Sequence, residues 1–180
     1  MTTSAEEGET TPSSDARRGT RADERRQLQL VAFEVGTEEY AVDIRSVQEI
    51  NRLLPITRVP QSPACVEGVI NLRGRIIPII DMRKRFRLLE RWVSGDSRII
   101  VAEVDNRVLG FIVDRVNEVL RIDSSIVDPA PDIVAGADGE SIEGVAKLEG
   151  RIIILLNLQR LFNLKQIEDL EEKEPQRGIA

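Results

Sequence analysis

The sequence predicts an all-β protein of two small barrels side by side, and three observations carry that prediction. A 19-residue segment occurs twice, Gly68–Phe86 and Gly144–Phe162, and the two copies align without gaps with eight identities. Short aliphatic runs alternate with turn residues throughout, which is the signature of strands and hairpins. A unit of roughly 60 residues hides only about 60% of its unfolded surface, so one copy is marginal and two packed together share an apolar layer. Closure into barrels follows because it removes the exposed edges of short, twisted strands.

The elements follow in order. Residues 1–27 are rich in Thr, Ser, Glu, Gly and Arg with no apolar periodicity, so they read as a disordered tail. Structure is expected from about Leu28, where Leu30, Ala32 and Glu34 alternate with Val31, Phe33 and Val35 before a turn at Gly36–Glu39 and a strand at Tyr40–Val42. Ile44, Val47 and Ile50 are spaced by three, which predicts a short helical turn leading into another strand. Pro55, Pro60 and Pro63 exclude a long helix after it. Gly68–Ile80 reads as two strands joined at Leu72-Arg73-Gly74, and strands are expected over Arg98–Glu103 and Val108–Val113 about a turn at Asp105-Asn106. Asp128–Gly139 reads as a loop. Leu158, Leu161, Phe162, Leu164, Ile167 and Leu170 fall at helical spacing and predict a C-terminal helix, with residues 166–180 as its end and tail.

The duplication extends upstream, since Val47-Gln48-Glu49-Ile50 matches Val116-Asn117-Glu118-Val119. Gly74 and Gly150 stand where the chain reverses, a place for positive φ. Gly68 and Gly144 read as a close backbone approach or a bulge. Where the copies part, the hairpin residue is Arg73 in one and Glu149 in the other, and Pro78 replaces Ile154, which suggests an edge strand. The tip of a rigid hairpin presents a side chain with little entropy left to lose, so Arg73 is a candidate contact and Glu49 its candidate acidic companion.

Composition narrows the function. There is no histidine, which removes the commonest general base and the usual nitrogen ligand of zinc. A formal charge of −6 argues against nucleic acid, and the basic run Arg83-Lys84-Arg85 with Arg87 reads as a solvated face. Cys65 is the single cysteine and reads as a small buried apolar residue. One cysteine and no apolar leader point to the cytoplasm. Asp81, Asp105 and Asp114 are the carboxylates an enzyme would have to pair, but Asp81 follows a strand as a capping or turn residue and its repeat partner is Asn157. A non-catalytic protein that holds others together is the favoured reading.

Several segments resemble the chemotaxis coupling protein family, CheW: Tyr40 with Asp43-Ile44, Val47–Ile50, Ile56–Pro60, Gly68–Gly74, Ile77–Arg83, Val113-Asp114 with Val116, and Pro129-Ala130-Pro131. The resemblance covers about residues 28–165, taken as one CheW-like domain. It implies two five-stranded SH3-like barrels, no cofactor and no metal. It also implies an adaptor that links the cytoplasmic tip of chemoreceptors to the histidine kinase CheA through the kinase's regulatory domain. By position, Glu49 and Arg73 match family residues at receptor and kinase contacts, and Val47 and Gly68 lie in the same motifs, where they shape the groove between the barrels. A second family surface, near the Pro-Ala-Pro loop, closes rings of alternating kinase domain and coupling protein. Here Asp128 and Ile133 replace the basic residue and aromatic of some relatives, so that contact is either absent or differently charged. The resemblance also fits adaptors of pathways governing twitching, gliding or development.

Overall fold

The structure, a computed structural model, describes residues 26–89, 93–131 and 139–163. Hydrophobic runs and turn residues become strands where the sequence places them: β1 (Gln27–Val35), β2 (Glu38–Asp43), β3 (Val47–Arg52), β4 (Val66–Leu72), β5 (Arg75–Asp81), β6 (Arg98–Val104), β7 (Arg107–Val113), β8 (Arg115–Asp123), β9 (Val127–Asp128), β10 (Ile142–Leu148) and β11 (Arg151–Leu156). Two one-turn helices follow β5 and β11, α1 (Met82–Arg85) and α2 (Leu158–Leu161), and 3-10 turns follow β2 and β8. The strand β8 was not announced by its alternation, because Asn117, Glu118 and Val119 are all exposed.

Two sheets result, ordered β8-β1-β2-β11-β10-β9 and β3-β6-β7-β5-β4. Each closes on itself. The chain beyond β3 returns to β4, where Thr57 and Val69 exchange backbone hydrogen bonds of 2.9 and 2.8 Å. In the other sheet β8 and β9 are one run of chain bent by the turn Ser124–Ile126, so six strands make five runs. The expectation of two five-stranded barrels is met in this form.

The barrels do not coincide with the sequence copies. Strands β3–β7, consecutive in the chain, form one barrel, and β1-β2 join β8–β11 in the other. Each barrel therefore combines the first hairpin of one copy with the later strands of the other, through the parallel pairs β5-β7 and β2-β11.

Side chains sort into three apolar layers. Ile70, Ile77, Ile79, Ile99 and Val101 fill the β3–β7 barrel. Leu30, Ala41, Ile122, Ala146, Ile153 and Leu155 fill the other. Between them lies the largest cluster, with Val31, Phe33, Val35, Val42, Ile80, Met82, Ile100, Phe111, Val113, Leu156, Leu161 and Phe162. Strands covered on both faces need unbroken aliphatic runs, which is why so few aromatics suffice. Phe111 stands at the centre, with Phe33 and Phe162 at ring separations of 5.8 and 5.6 Å.

Three readings change. Pro78 lies in β5, which has neighbours on both sides rather than an open edge; its pairing to β7 begins only at Ile79, so no ladder donor is missed. Most of the basic run is not a solvated face: Arg83 is clamped on Asp114, Lys84 on Glu67, and Arg85 is buried, its guanidinium donating to the Leu161 carbonyl at 3.1 and 3.2 Å, while Arg87 is exposed. Cys65 is partly buried against the central layer. Of the C-terminal helix only Leu158–Leu161 is described; its continuation and the N-terminal tail to residue 25 lie outside the described residues.

Candidate partner-binding surface

Glu49 and Arg73 are 24 residues apart in the chain and meet in the structure. The hairpin between β4 and β5 turns on Arg73 (φ 51°) and Gly74 (φ 81°), both left-handed, as the two-residue turn matching strand twist requires. The Asn71 side chain accepts from the Gly74 N–H at 2.9 Å and fixes the turn. Arg73 is thus carried on a braced tip, its side chain 77% exposed, and its Nη1 donates to Glu49 Oε2 at 2.7 Å.

Glu49 reaches the tip because β3 is bulged. Val47 pairs with Ala102 and Glu49 with Val101, so Gln48 is skipped. The extra residue puts Glu49 opposite Val101 with its side chain still 23% exposed, while Val47 packs on the central layer. Asn51 Nδ2 donates to Glu49 Oε1 at 2.6 Å. Hydrogen bonds from Asn51 and then Arg73, with the Arg73 charge, hold the Glu49 carboxyl below the usual carboxylate range. Two apolar side chains stand open on the same strands, Ile50 on β3 and Ile76, 65% exposed, on β5. Neither was singled out from the sequence, nor was Asn51; a strand isoleucine two residues past a tip carries no signal until its neighbours are known.

Of the four residues expected at this surface, the structure joins only Glu49 and Arg73. Gly68 is buried at the barrel seam. A Cβ there would stand 2.1 Å from the Thr57 carbonyl oxygen, and its φ of 148° belongs to glycine. The close approach read from the sequence is this one. Asp128 lies in β9 and pairs with Lys147 at 3.0 Å, both well exposed. Ile133 lies outside the described residues.

The carboxylates proposed for catalysis are each engaged elsewhere. Asp81 caps α1 through the Arg83 N–H at 2.8 Å, and burial raises its pKa above the usual value. Asp105 is a turn residue, and Asp114 holds Arg83 and the Gly36 N–H. Among the described residues no three His, Cys, Asp or Glu groups stand together so as to hold a metal, and no helix is long and apolar enough to cross a membrane.

Comparison with known proteins agrees with this geometry. The family model described as CheW-like domain matches residues 29–166. The chemotaxis protein CheW of Rhizobium meliloti is 39% identical over 140 residues, 78% of this chain and 90% of that one. That of Treponema pallidum is 37% identical over 148 residues, 80% and 87% of the two chains. The crystal structure of the scaffolding protein TtCheW from Thermoanaerobacter tengcongensis superposes with a TM-score of 0.71 at 42% identity, covering 76% of this chain and 93% of that one.

Proposed function

The chain belongs to the CheW-like family of chemotaxis scaffold proteins, which are not enzymes, and from that premise we propose that it couples chemoreceptors to a CheA-type histidine kinase. The observation that carries the reading is the Arg73 tip: a cation on a braced hairpin, oriented by Glu49, on strands that also leave Ile50 and Ile76 exposed. A charged anchor with apolar neighbours is the kind of contact that dominates an interface once water is excluded. In this reading the partners are the cytoplasmic tip of the receptor and the kinase's regulatory domain, and the protein works in the cytoplasm, recruited to receptor arrays at the membrane. Neither nucleotide nor metal takes part.

Arg73→Glu tests it. The side chain is exposed and its substitution leaves the fold in place, so the melting curve stays close to wild type. Binding to a receptor cytoplasmic fragment or to the kinase regulatory domain, measured by titration calorimetry, falls about 30-fold, the equivalent of about 2 kcal/mol. Unchanged affinity for both partners would remove Arg73 from the surface.

A further inference from the structure

We infer that the two sequence copies are completing halves: neither builds a barrel alone, and a chain cut between them holds together as a two-fragment complex. The copies meet at the connection from Leu88 to Ser97, between β5 and β6. Of the nine strand ladders among the described residues, four join the halves: β1-β8, β2-β11, β3-β6 and β5-β7. The remaining ladders are hairpins, together with the two-residue pairing of β9 to β10.

Each half by itself is therefore two separate pieces of sheet. The first half keeps the β1-β2 and β4-β5 hairpins and leaves β3 with no ladder, because β6 is its strand partner. The second keeps β6-β7 and the β9-β10-β11 group and leaves β8 unpaired, because its ladder is with β1. Isolated two-stranded hairpins are marginal in water, and a strand without neighbours does not form.

The polar links cross the same division. Arg83 of the first half holds Asp114 of the second, whose Oδ2 accepts the Gly36 N–H at 2.8 Å. Arg85 donates to the Leu161 carbonyl, and Gln48 Nε2 to Glu103 at 3.1 Å. The central layer draws Phe33, Ile80 and Met82 from one side and Ile100, Phe111, Leu161 and Phe162 from the other. Even the Glu49–Arg73 surface depends on the second half, since Val101 of β6 sets the register of Glu49.

The connection itself accepts a cut. Val93, Ser94, Gly95 and Asp96 are exposed, and the turn Ser94–Ser97 is closed by its own hydrogen bonds, the Ser97 N–H to the Ser94 carbonyl and the Ser94 N–H to Ser97 Oγ, both 3.1 Å. A specific protease site inserted between Val93 and Ser94 of the full chain leaves that turn whole; a second variant carries it between Gly95 and Asp96. After complete cleavage of the folded protein, both fragments are expected to elute together at the size of the intact chain. Their complex melts in one transition whose midpoint falls on dilution, as association between separate chains demands, whereas the uncut protein shows no such dependence. Fragments that part on a sizing column in native buffer would overturn the inference. So would a cut protein whose melting ignores concentration, with each fragment keeping its own β-sheet spectrum after separation.

Discussion

The two barrels use one strap in two ways. In each, a bulge skips a polar residue, Gln48 in β3 and Asn117 in β8, and sets the next glutamate to pair with an arginine at the neighbouring hairpin. Glu49 then takes the tip arginine of its hairpin, Arg73. Glu118 takes Arg151, one residue past a tip that carries Glu149, and Arg151 also lies 3.7 Å from Glu39. The repeat-equivalent of Arg151 is Arg75, which is exposed in the first copy and joins no ion pair among the described residues. The inner end of the strap is kept while its outer end has shifted, so one barrel shows a cationic tip and the other an anionic one. Duplication preserved the glutamate of the strap and changed the charge at the hairpin tip.

The largest difference between the barrels should appear at the seam glycines. Gly68→Ala sets a Cβ against the Thr57 backbone in a conformation reserved for glycine, and is expected to cost about 3–5 kcal/mol in urea unfolding. At Gly144 the nearest obstacle is the Val127 Cγ1, at 2.6 Å, a side chain that can turn, and φ is not left-handed. Gly144→Ala should cost clearly less, although the Asp128 carbonyl at 2.9 Å keeps it above zero. Equal losses at the two sites would mean that the seams are alike after all.

A smaller difference lies in the helix caps. Asp81 and Asn157 cap α1 and α2 in equivalent places, but burial raises the pKa of Asp81. An acid whose folded pKa lies above its unfolded value takes up protons on folding, so its contribution to stability declines as pH rises through that window. Asp81→Asn, which copies the second barrel, should keep the cap and raise stability by less than about 1 kcal/mol at neutral pH. The gain should vanish in acid, where the aspartic acid is protonated in both states. Chemical unfolding at two pH values measures it, and a loss of stability at neutral pH would show that the charge is needed.

The smallest effect concerns Glu49. Its carboxyl should titrate below the ordinary glutamate value of about 4.3, followed by NMR. Because the folded pKa is depressed, the stabilisation is present above the unfolded value and lost as pH falls through the folded one. Asn51→Ala and Arg73→Ala should each move the titration upward. An ordinary titration would mean that the pair does not persist in solution.

Much of this was legible beforehand. The glycines at 74 and 150 announced turns because few other residues accept their φ of 81° and 72°. Asp81 announced a cap because a short polar side chain after a strand has a free N–H within reach, and its repeat partner Asn157 caps in the same way. The exchange of hairpins between copies left no trace, since a strand's aliphatic pattern says that it is covered and not by which neighbour. For the same reason Pro78 looked like an edge, and Arg85 looked solvated when its guanidinium lies under Leu161. At the surface, chain position singled out Glu49 and Arg73, but not the bulge at Gln48 that lets them meet. The close approach expected at Gly68 is that of the Thr57 backbone, which the sequence did not name.

The offset between copies and barrels also bears on inheritance. A genetic crossover at the exposed residues Val93–Asp96, between β5 and β6, looks harmless in the sequence, because it falls between the repeats. It would give both barrels mixed parentage at once, with every inter-half ladder formed between unrelated strands. Exchanging Val47–Val113 instead moves one barrel entire and leaves the other with its original strands. Chimaeras of such proteins should therefore be spliced at the barrel boundaries, where the repeat gives no mark.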